Sequence, residues 1–444
     1  MRKSVLILFL ILVTALLLQA ETVTLEQAKS IAIEHNPDLK AQGESYNMSK
    51  WSYYSTLSTL FPSGSLSASY SKTDTDNTNA PNQATENGSY GVSFRQPIFS
   101  GGKLVTSVSI AKDSRSISAF NLTEKELEIL NTTEEKYFNY IKTSKLYTIA
   151  EKNMQAAVQR VSDAQVRFSQ GTISKAELLK FQADESEKRV ALIQAQLAKQ
   201  TGYVDLKNYL MLDNDFEVED ADSFMISEEI PQLLQLDVDK TTKAITSLKE
   251  FCLEHNNTMK SLKLGRNISA KNLYNAKTGF FPTVSLGWSY NRSGDAGDNW
   301  ADYDGSSTLS LSASLPILPL FDTYSGVARA SSEKRKTEYE YLNTENSFKL
   351  GIESSYLNLL SKAAQYNASN LSEQYSEETY KQMQERYKNG LISATDLLDA
   401  EVVYKSAQVN AVSSKFDYLT TRSGLKKLLG LSSDREIFDI IMQN

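Results

Sequence analysis

The chain is written twice. Ile33-Glu34-His35-Asn36 recurs 220 residues later as Leu253-Glu254-His255-Asn256, and Phe61-Pro62-Ser63-Gly64-Ser65-Leu66 recurs as Phe281-Pro282-Thr283-Val284-Ser285-Leu286. Further along, Gln96-Pro97-Ile98-Phe99 meets Leu315-Pro316-Ile317-Leu318, and Arg167-Phe168-Ser169-Gln170-Gly171 meets Arg386-Tyr387-Lys388-Asn389-Gly390, now at an offset of 219. One residue of drift over that span predicts an internal duplication whose halves carry the same elements in the same order.

Proline placement predicts those elements. The eight prolines lie at 37, 62, 81, 97, 231, 282, 316 and 319, so residues 98–230 and 320–444 contain none. Both windows are rich in Ala, Leu, Lys, Glu and Gln, the good helix formers. Gly171 and Gly390 interrupt them. Ser174-x-x-Glu177 reads as a capping box, and Ser393-x-x-Asp396 sets a carboxylate at the same helix position. Each window is therefore a helical hairpin, whose long arm of about 65 residues spans roughly 100 Å. Such rods do not fit inside a compact globule. Shorter helical segments preceding the strands would stack end to end with the return arms, each long helix running beside two short ones.

The return arms show heptads. Leu397, Tyr404, Ala411, Tyr418 and Leu425 alternate with Ala400, Ala407, Ser414, Thr421 and Leu428. In the first repeat Ala183, Val190, Leu197, Val204 and Met211 follow the same spacing, with Leu179, Ser186, Ile193, Gln200 and Lys207 as the second line. Many of these are small or polar, which suits a broad helical wall better than a tight dimeric zipper.

Four strands alternate apolar and small polar residues: Leu66, Ala68 and Tyr70 with Ser65, Ser67 and Ser69; Tyr90, Val92 and Phe94 with Gly91, Ser93 and Arg95; and likewise 284–290 and 309–315. Serine and glycine on the polar face suit a crowded lumen, with a soluble sheet as the alternative. Residues 73–88 and 292–305 read as long exposed loops. Trp51, Tyr53, Tyr54, Phe99, Phe280, Phe281 and Phe321 gather at the helix–strand joints, either as membrane-interface anchors or as ordinary packing. Four strands cannot close a membrane barrel, whereas three chains would supply twelve.

Composition excludes other classes. A net charge of −7 opposes nucleic-acid binding. A lone Cys252 allows no internal disulfide, and two histidines give no metal cluster. No phosphate loop, nucleophile elbow or cofactor fingerprint is present, so no enzyme, catalytic residue, cofactor or metal is expected. His35 and His255, repeat-equivalent and ahead of helix starts, read as helix terminators. Arg2-Lys3, the apolar run Val5–Leu18 and Ala20 predict a secretory leader over 1–20. No cysteine follows the expected cut, so no lipid anchor is expected there.

The domain reading is then a leader at 1–20 and repeat 1 at 21–212, with helices 24–60, strands 63–72 and 89–97, and hairpin 103–211. A linker at 213–241 follows. Repeat 2 spans 242–431, with helices 242–280, strands 283–291 and 306–315, and hairpin 324–429, and a tail covers 432–444.

The duplicated order, the serine-alternating strands and the signatures Arg167-Phe-Ser-Gln-Gly171-x-x-Ser174-x-x-Glu-Leu-Leu179 and Arg386-Tyr387-Lys-Asn-Gly390-x-x-Ser393-x-x-Asp396-Leu-Leu-Asp399 resemble the TolC family of outer membrane efflux proteins. The resemblance covers Thr24 to Leu431. It implies a homotrimer with a twelve-stranded β-barrel in outer membrane lipid and an α-helical tunnel through the periplasm, with 213–240 in an equatorial region. It further implies an exit duct fed by an inner-membrane pump of RND, ABC or MFS type through a periplasmic adaptor, or membrane fusion protein, that docks on the hairpin tips. The tips hold Arg167, Gly171, Ser174, Arg386, Tyr387, Gly390 and Ser393. Asp396 and Asp399 match the family's periplasmic constriction, where acidic rings favour cations; a capping role is the competing explanation for Asp396. Some members carry an arginine just after the tip glycine, where this chain has Leu391 and Ile392. The rival reading is an exported trimeric coiled-coil scaffold or adhesin without a pore.

Overall fold

A computed structural model describes residues 22–75, 83–219, 226–235, 237–317 and 320–442, so the expected leader lies outside the described residues. In chain order the elements are β1 (Thr22–Val23), α1 (Leu25–His35), α2 (Pro37–Ser58), β2 (Ser63–Thr75), β3 (Gln83–Phe99), α3 (Lys103–Ser169), α4 (Lys175–Leu210), β4 (Glu217–Val218), α5 (Ile226–Leu234), α6 (Val238–His255), α7 (Asn257–Lys277), β5 (Thr283–Asp295), β6 (Asp304–Ser314), α8 (Leu320–Lys388), α9 (Ala394–Leu429) and α10 (Asp434–Met442). The order α2-β2-β3-α3-α4 thus returns as α7-β5-β6-α8-α9. Among the described residues no helix is long and apolar enough to cross a membrane.

The segments 24–60 and 242–280 each hold two α-helices, divided at Asn36 and Asn256. Asn36 ends α1 by donating its N–H to Ala32 O, and its side-chain oxygen accepts from the Asp38 and Leu39 amides that open α2. Asn256 ends α6 in the same way on Cys252 O. His35 and His255 each place Nδ1 3.1 Å from the carbonyl four residues back, Ile31 and Phe251, as helix terminators do.

One compact unit comprises Gln42–Leu122 and Asn257–Asn346. It holds an antiparallel sheet in the order β2-β3-β5-β6, whose outer strands β2 and β6 have no strand partner on their far sides among the described residues. The register aligns the serine face across the sheet. Ser65, Ser93, Ser289 and Thr308 form one row, and Ser69, Ser89, Ser293 and Asp304 another. Ser65–Ser93 and Ser69–Ser89 hydroxyls meet at 2.8 and 2.7 Å. Phe94, Trp288 and Leu309 share a row of the other face, with Phe94 and Trp288 stacked. The strands outrun the expected 63–72, 89–97, 283–291 and 306–315, because pairing continues through polar residues such as Lys72 and Glu86, which form an ion pair at 2.9 Å. The segment expected as a free loop at 292–305 gives its ends to β5 and β6, and its middle, 296–303, folds onto the apolar face. Tyr303 fits over Gly88 and Gly294, where any Cβ would collide with its ring. Trp300 stacks on Tyr90 and Tyr303, and Arg292 donates to the Ala301 and Tyr303 carbonyls. In the same unit α7 lies on the first part of α3 through Lys271–Asp113 and on α8 through a bidentate Arg266–Glu338 pair at 2.7 and 2.9 Å. Trp51, Phe61 and Phe321 remain largely exposed, so these joint aromatics are not core.

The other unit comprises Thr123–Asn256, Ser347–Asn444 and the N-terminal segment through Ala41. Its core includes Tyr137, Phe138, Leu206, Ile352, Tyr356 and Tyr418. Glu134 is buried among Lys29 (2.8 Å), Lys426 (2.5 Å) and Ser423. The expected equatorial linker holds β4, paired in parallel with β1, together with α5 and the start of α6. The expected bare tail at 432–444 instead carries α10, because Ile437 and Ile441, four apart, bury one helical face while Asp434 pairs with Arg422 and Lys426.

The heptad line of α9 is largely buried within the chain, whereas that of α4 is not. Leu397, Ala411, Tyr418 and Leu425 are buried, but Val190, Leu197, Val204 and Met211 are exposed. The buried line of α4 is Leu178, Phe181, Gly202, Leu206 and Leu210. This helix has two apolar faces, and the chain covers only one.

Candidate functional site: the hairpin tips

Two identical turns close the hairpins. At the first, Gly171 N–H donates to Phe168 O and Thr172 N–H to Arg167 O, both at 2.9 Å. At the second, Gly390 and Leu391 do the same to Tyr387 and Arg386. These paired bonds form the Schellman closure, which needs a left-handed residue. Gly171 and Gly390 supply it at φ +74 and +70, with open space around both. The demand is therefore conformational, not steric. Gly171→Val and Gly390→Val should each loosen a tip by about 1–2 kcal/mol. The expected readout is faster amide exchange confined to 167–175 or 386–394, and unchanged exchange there would show that the left-handed turn is dispensable.

The return helices start differently. Ser393 and Asp396 form a complete capping box. Ser393 N–H and Oγ–H both donate to Asp396 Oδ2 at 3.0 and 2.8 Å, and Asp396 N–H donates to Ser393 Oγ at 3.2 Å. The Ser393 hydroxyl, then its backbone N–H, hold the Asp396 carboxyl below its ordinary pKa. At the first tip only half of the expected box exists. Ser174 Oγ accepts from Glu177 N–H, but Glu177 Oε1 accepts from Tyr387 OH of the other hairpin at 3.0 Å. Asp399 is exposed and has no hydrogen-bond or ion-pair partner among the described residues.

Tyr387 joins the two tips. Its ring meets Phe181 edge-on at 6.1 Å and lies under the Arg167 guanidinium at 5.4 Å. Burial and the Glu177 carboxylate push its hydroxyl pKa up to about 12, against the opposing pull of Arg167. Lys180 Nζ donates to Thr395 Oγ1 at 2.6 Å, a second link between hairpins. Arg386 and Lys388 stand at the exposed end of α8. Beside them a groove of about 280 Å³ is lined by Arg160, Asp163, Arg167, Gln384, Tyr387 and Lys388.

Deeper in the hairpins lies a cluster that sequence reasoning passed over. Arg160 Nη2 on α3 sits 2.9 Å from both Asp184 Oδ2 of α4 and Glu401 Oε2 of α9, and its Nη1 donates to Tyr380 OH of α8 at 3.3 Å. One guanidinium thus touches all four helices. Glu401 is almost fully buried, and its Oε1 has no hydrogen-bond partner among the described residues. Burial raises its carboxyl pKa, which Arg160 only partly offsets. The available signal was Glu401 at four residues from Leu397 and three from Tyr404, on the buried face of α9.

Long helical hairpins combined with a few strands open at both edges define a class, the protomers of outer membrane channels. The fold is similar to that of the Campylobacter jejuni CmeC outer membrane channel (TM-score 0.76, 18% identity, covering 94% of this chain and 89% of that one). It is also similar to the Vibrio cholerae outer membrane protein VceC (TM-score 0.77, 14% identity, 92% and 96%). Residues 29–210 and 250–431 each match the outer membrane efflux protein family, and the chain belongs to that family. The outer membrane protein TolC of Escherichia coli K12 is 21% identical over 339 residues, 71% of this chain; the chain spans 64% of the length of that relative.

Proposed function

We propose that the chain is one protomer of a homotrimeric outer membrane efflux duct. It is a passive conduit through which an inner-membrane pump of RND, ABC or MFS type, coupled by a periplasmic adaptor, expels its cargo. The observation that supports this most is incompleteness. The sheet ends at unpaired strands β2 and β6, and α4 leaves a whole apolar stripe uncovered. In lipid an open sheet edge costs several kcal/mol per unpaired group. Closing three sheets into twelve strands removes every edge, with the apolar rows facing lipid and the serine rows facing the duct. The exposed Trp51, Phe61 and Phe321 suit one membrane interface, and the Tyr90–Trp300–Tyr303 stack suits the other.

The tips are where the adaptor would dock, using Arg167, Gly171, Ser174, Arg386, Tyr387, Gly390, Ser393 and the groove beside them. What such a path needs is a gate. Asp399, free of any partner, and Asp396, held at its cap, would ring the constriction with six carboxylates per trimer.

The test is conductance of the purified protein in planar bilayers. A heat-labile trimer that forms channels is expected, whereas a scaffold or adhesin gives none. In a salt gradient, Asp399→Ala should lower cation preference and weaken block by multivalent cations. Asp396→Ala should shift selectivity less and chiefly weaken the start of α9. A reversal potential unchanged in the double variant would place the gate elsewhere.

A further inference from the structure

The serine face of the sheet carries one cation that the duct reading does not use. Among the described strand residues the basic side chains are Lys72, Arg95 and Arg292. Lys72 and Arg292 share the apolar face, where Lys72 is paired with Glu86 and Arg292 donates to loop carbonyls. Strand alternation puts Arg95 on the opposite face, two residues from Ser93, whose hydroxyl meets that of Ser65. Its cross-strand row is Ser63, Arg95, Gly287 and Ser310, so no long side chain stands beside it. It is exposed, and its guanidinium has no hydrogen-bond or ion-pair partner among the described residues. A shallow recess of about 260 Å³ at this position is floored by Gly287 and walled by Ser93, Ser285, Ser310 and Ser312.

The acids of the same face lie at the other end of the sheet. Asp304 is opposite Ser293, and Asp295 is opposite Asn87. Asn87 is eight residues from Arg95, about 27 Å along the strand. Nothing acidic on this face therefore neutralises Arg95. A guanidinium keeps its charge at any physiological pH and presents a planar fork matched to phosphate and carboxylate oxygens. The serine hydroxyls around it add neutral donors.

We propose that Arg95 forms, with its copies in the assembled duct, a cationic collar at the helix-side end of the strand section that binds polyvalent anions. The collar rests on the trimeric duct reading, which turns the serine face inward. It would favour entry of phosphate- or carboxylate-bearing solutes into the strand section, while the acids near the far end repel their return.

The test adds inorganic tripolyphosphate to single channels at low ionic strength, where screening is weakest. Wild type should be blocked from the strand-section side. In Arg95→Gln the block should weaken about tenfold or more, the loss of roughly one charge-assisted contact, while Arg95→Lys should keep part of it. Equal block of wild type and Arg95→Gln, or no block of conducting wild type, overturns the collar alone. Absence of any wild-type conductance overturns the duct reading and the collar with it. Should Arg95→Gln assemble poorly, calorimetry on detergent-solubilised trimers decides: wild type should bind tripolyphosphate more tightly than Arg95→Lys, and no binding by wild type overturns the proposal.

Discussion

A Val190→Asp/Leu197→Asp chain should fold as a protomer and fail to assemble. Both side chains are more than half exposed, so their replacement removes little packing within the chain. The repeat shows what two positions of this line do on α9, although Val409, equivalent to Val190, stays exposed there. Phe416, 219 residues after Leu197, is buried against Phe138, and Ser423, equivalent to Val204, is buried against Asn131. What α9 covers inside the chain, α4 leaves exposed, and in the proposed trimer a second copy would cover it. Covering a half-exposed Val or Leu stabilises by roughly 1 kcal/mol, and three interfaces multiply that. A carboxylate trapped there costs several kcal/mol more. The expected result is native helix content by circular dichroism, no heat-labile trimer and no channels. Leu357→Asp should give the same phenotype, because Leu350, Leu357 and Leu371 form the exposed heptad line of α8, the natural counterpart. Tyr418→Asp, in the core, should instead unfold the protomer. A heat-labile trimer surviving in the α4 double variant would exclude this face from the assembly.

Element types and order were legible, because proline placement, serine alternation and the glycine turns are local signals. Strand ends were not. Thr73, Asp74 and Thr85 resemble loop residues, and only their partners across the sheet hold them extended. Which apolar line of α4 the chain itself buries was not legible for a related reason. Heptad spacing identifies an apolar face but not its partner, and Leu197 satisfies the spacing as well as Leu206 does while facing the other way. The helix α10 was missed because nine residues carry little periodicity, although Ile437 and Ile441 anchor it. At the tips the two glycines and both serine caps were readable, but the fate of each carboxylate was not. Glu177 and Asp396 stand at equivalent positions; one reaches Tyr387 across the hairpins and the other folds back on Ser393. Only the hydroxyl that Tyr387 has and its repeat equivalent Phe168 lacks makes that difference.

The most damaging single change within the hairpins should be Arg160→Ala. Its loss would leave Asp184 and Glu401 close together on facing helices, one nearly and the other fully shielded from water, with Lys188, 3.2 Å from Asp184, and Lys405 as the remaining cations. Removing one partner of a buried ion cluster costs about 3–5 kcal/mol, whereas replacing the whole cluster by apolar residues is often close to neutral. Arg160→Met combined with Asp184→Leu and Glu401→Leu should therefore recover most of the stability that Arg160→Ala loses. The pH response supplies an independent readout. The Glu401 carboxyl holds its proton to higher pH in the folded chain than in the unfolded one, so its charged form opposes folding. Stability of the hairpin pair should rise as pH falls from neutral through that raised value, until the unfolded chain protonates as well. Glu401→Gln should flatten the rise, and Arg160→Ala should steepen it, because only protonation then relieves the two carboxylates. Amide exchange across 375–405 as a function of pH measures this directly, and a wild-type profile matching that of Glu401→Gln would show that the cluster contributes no titration to hairpin stability.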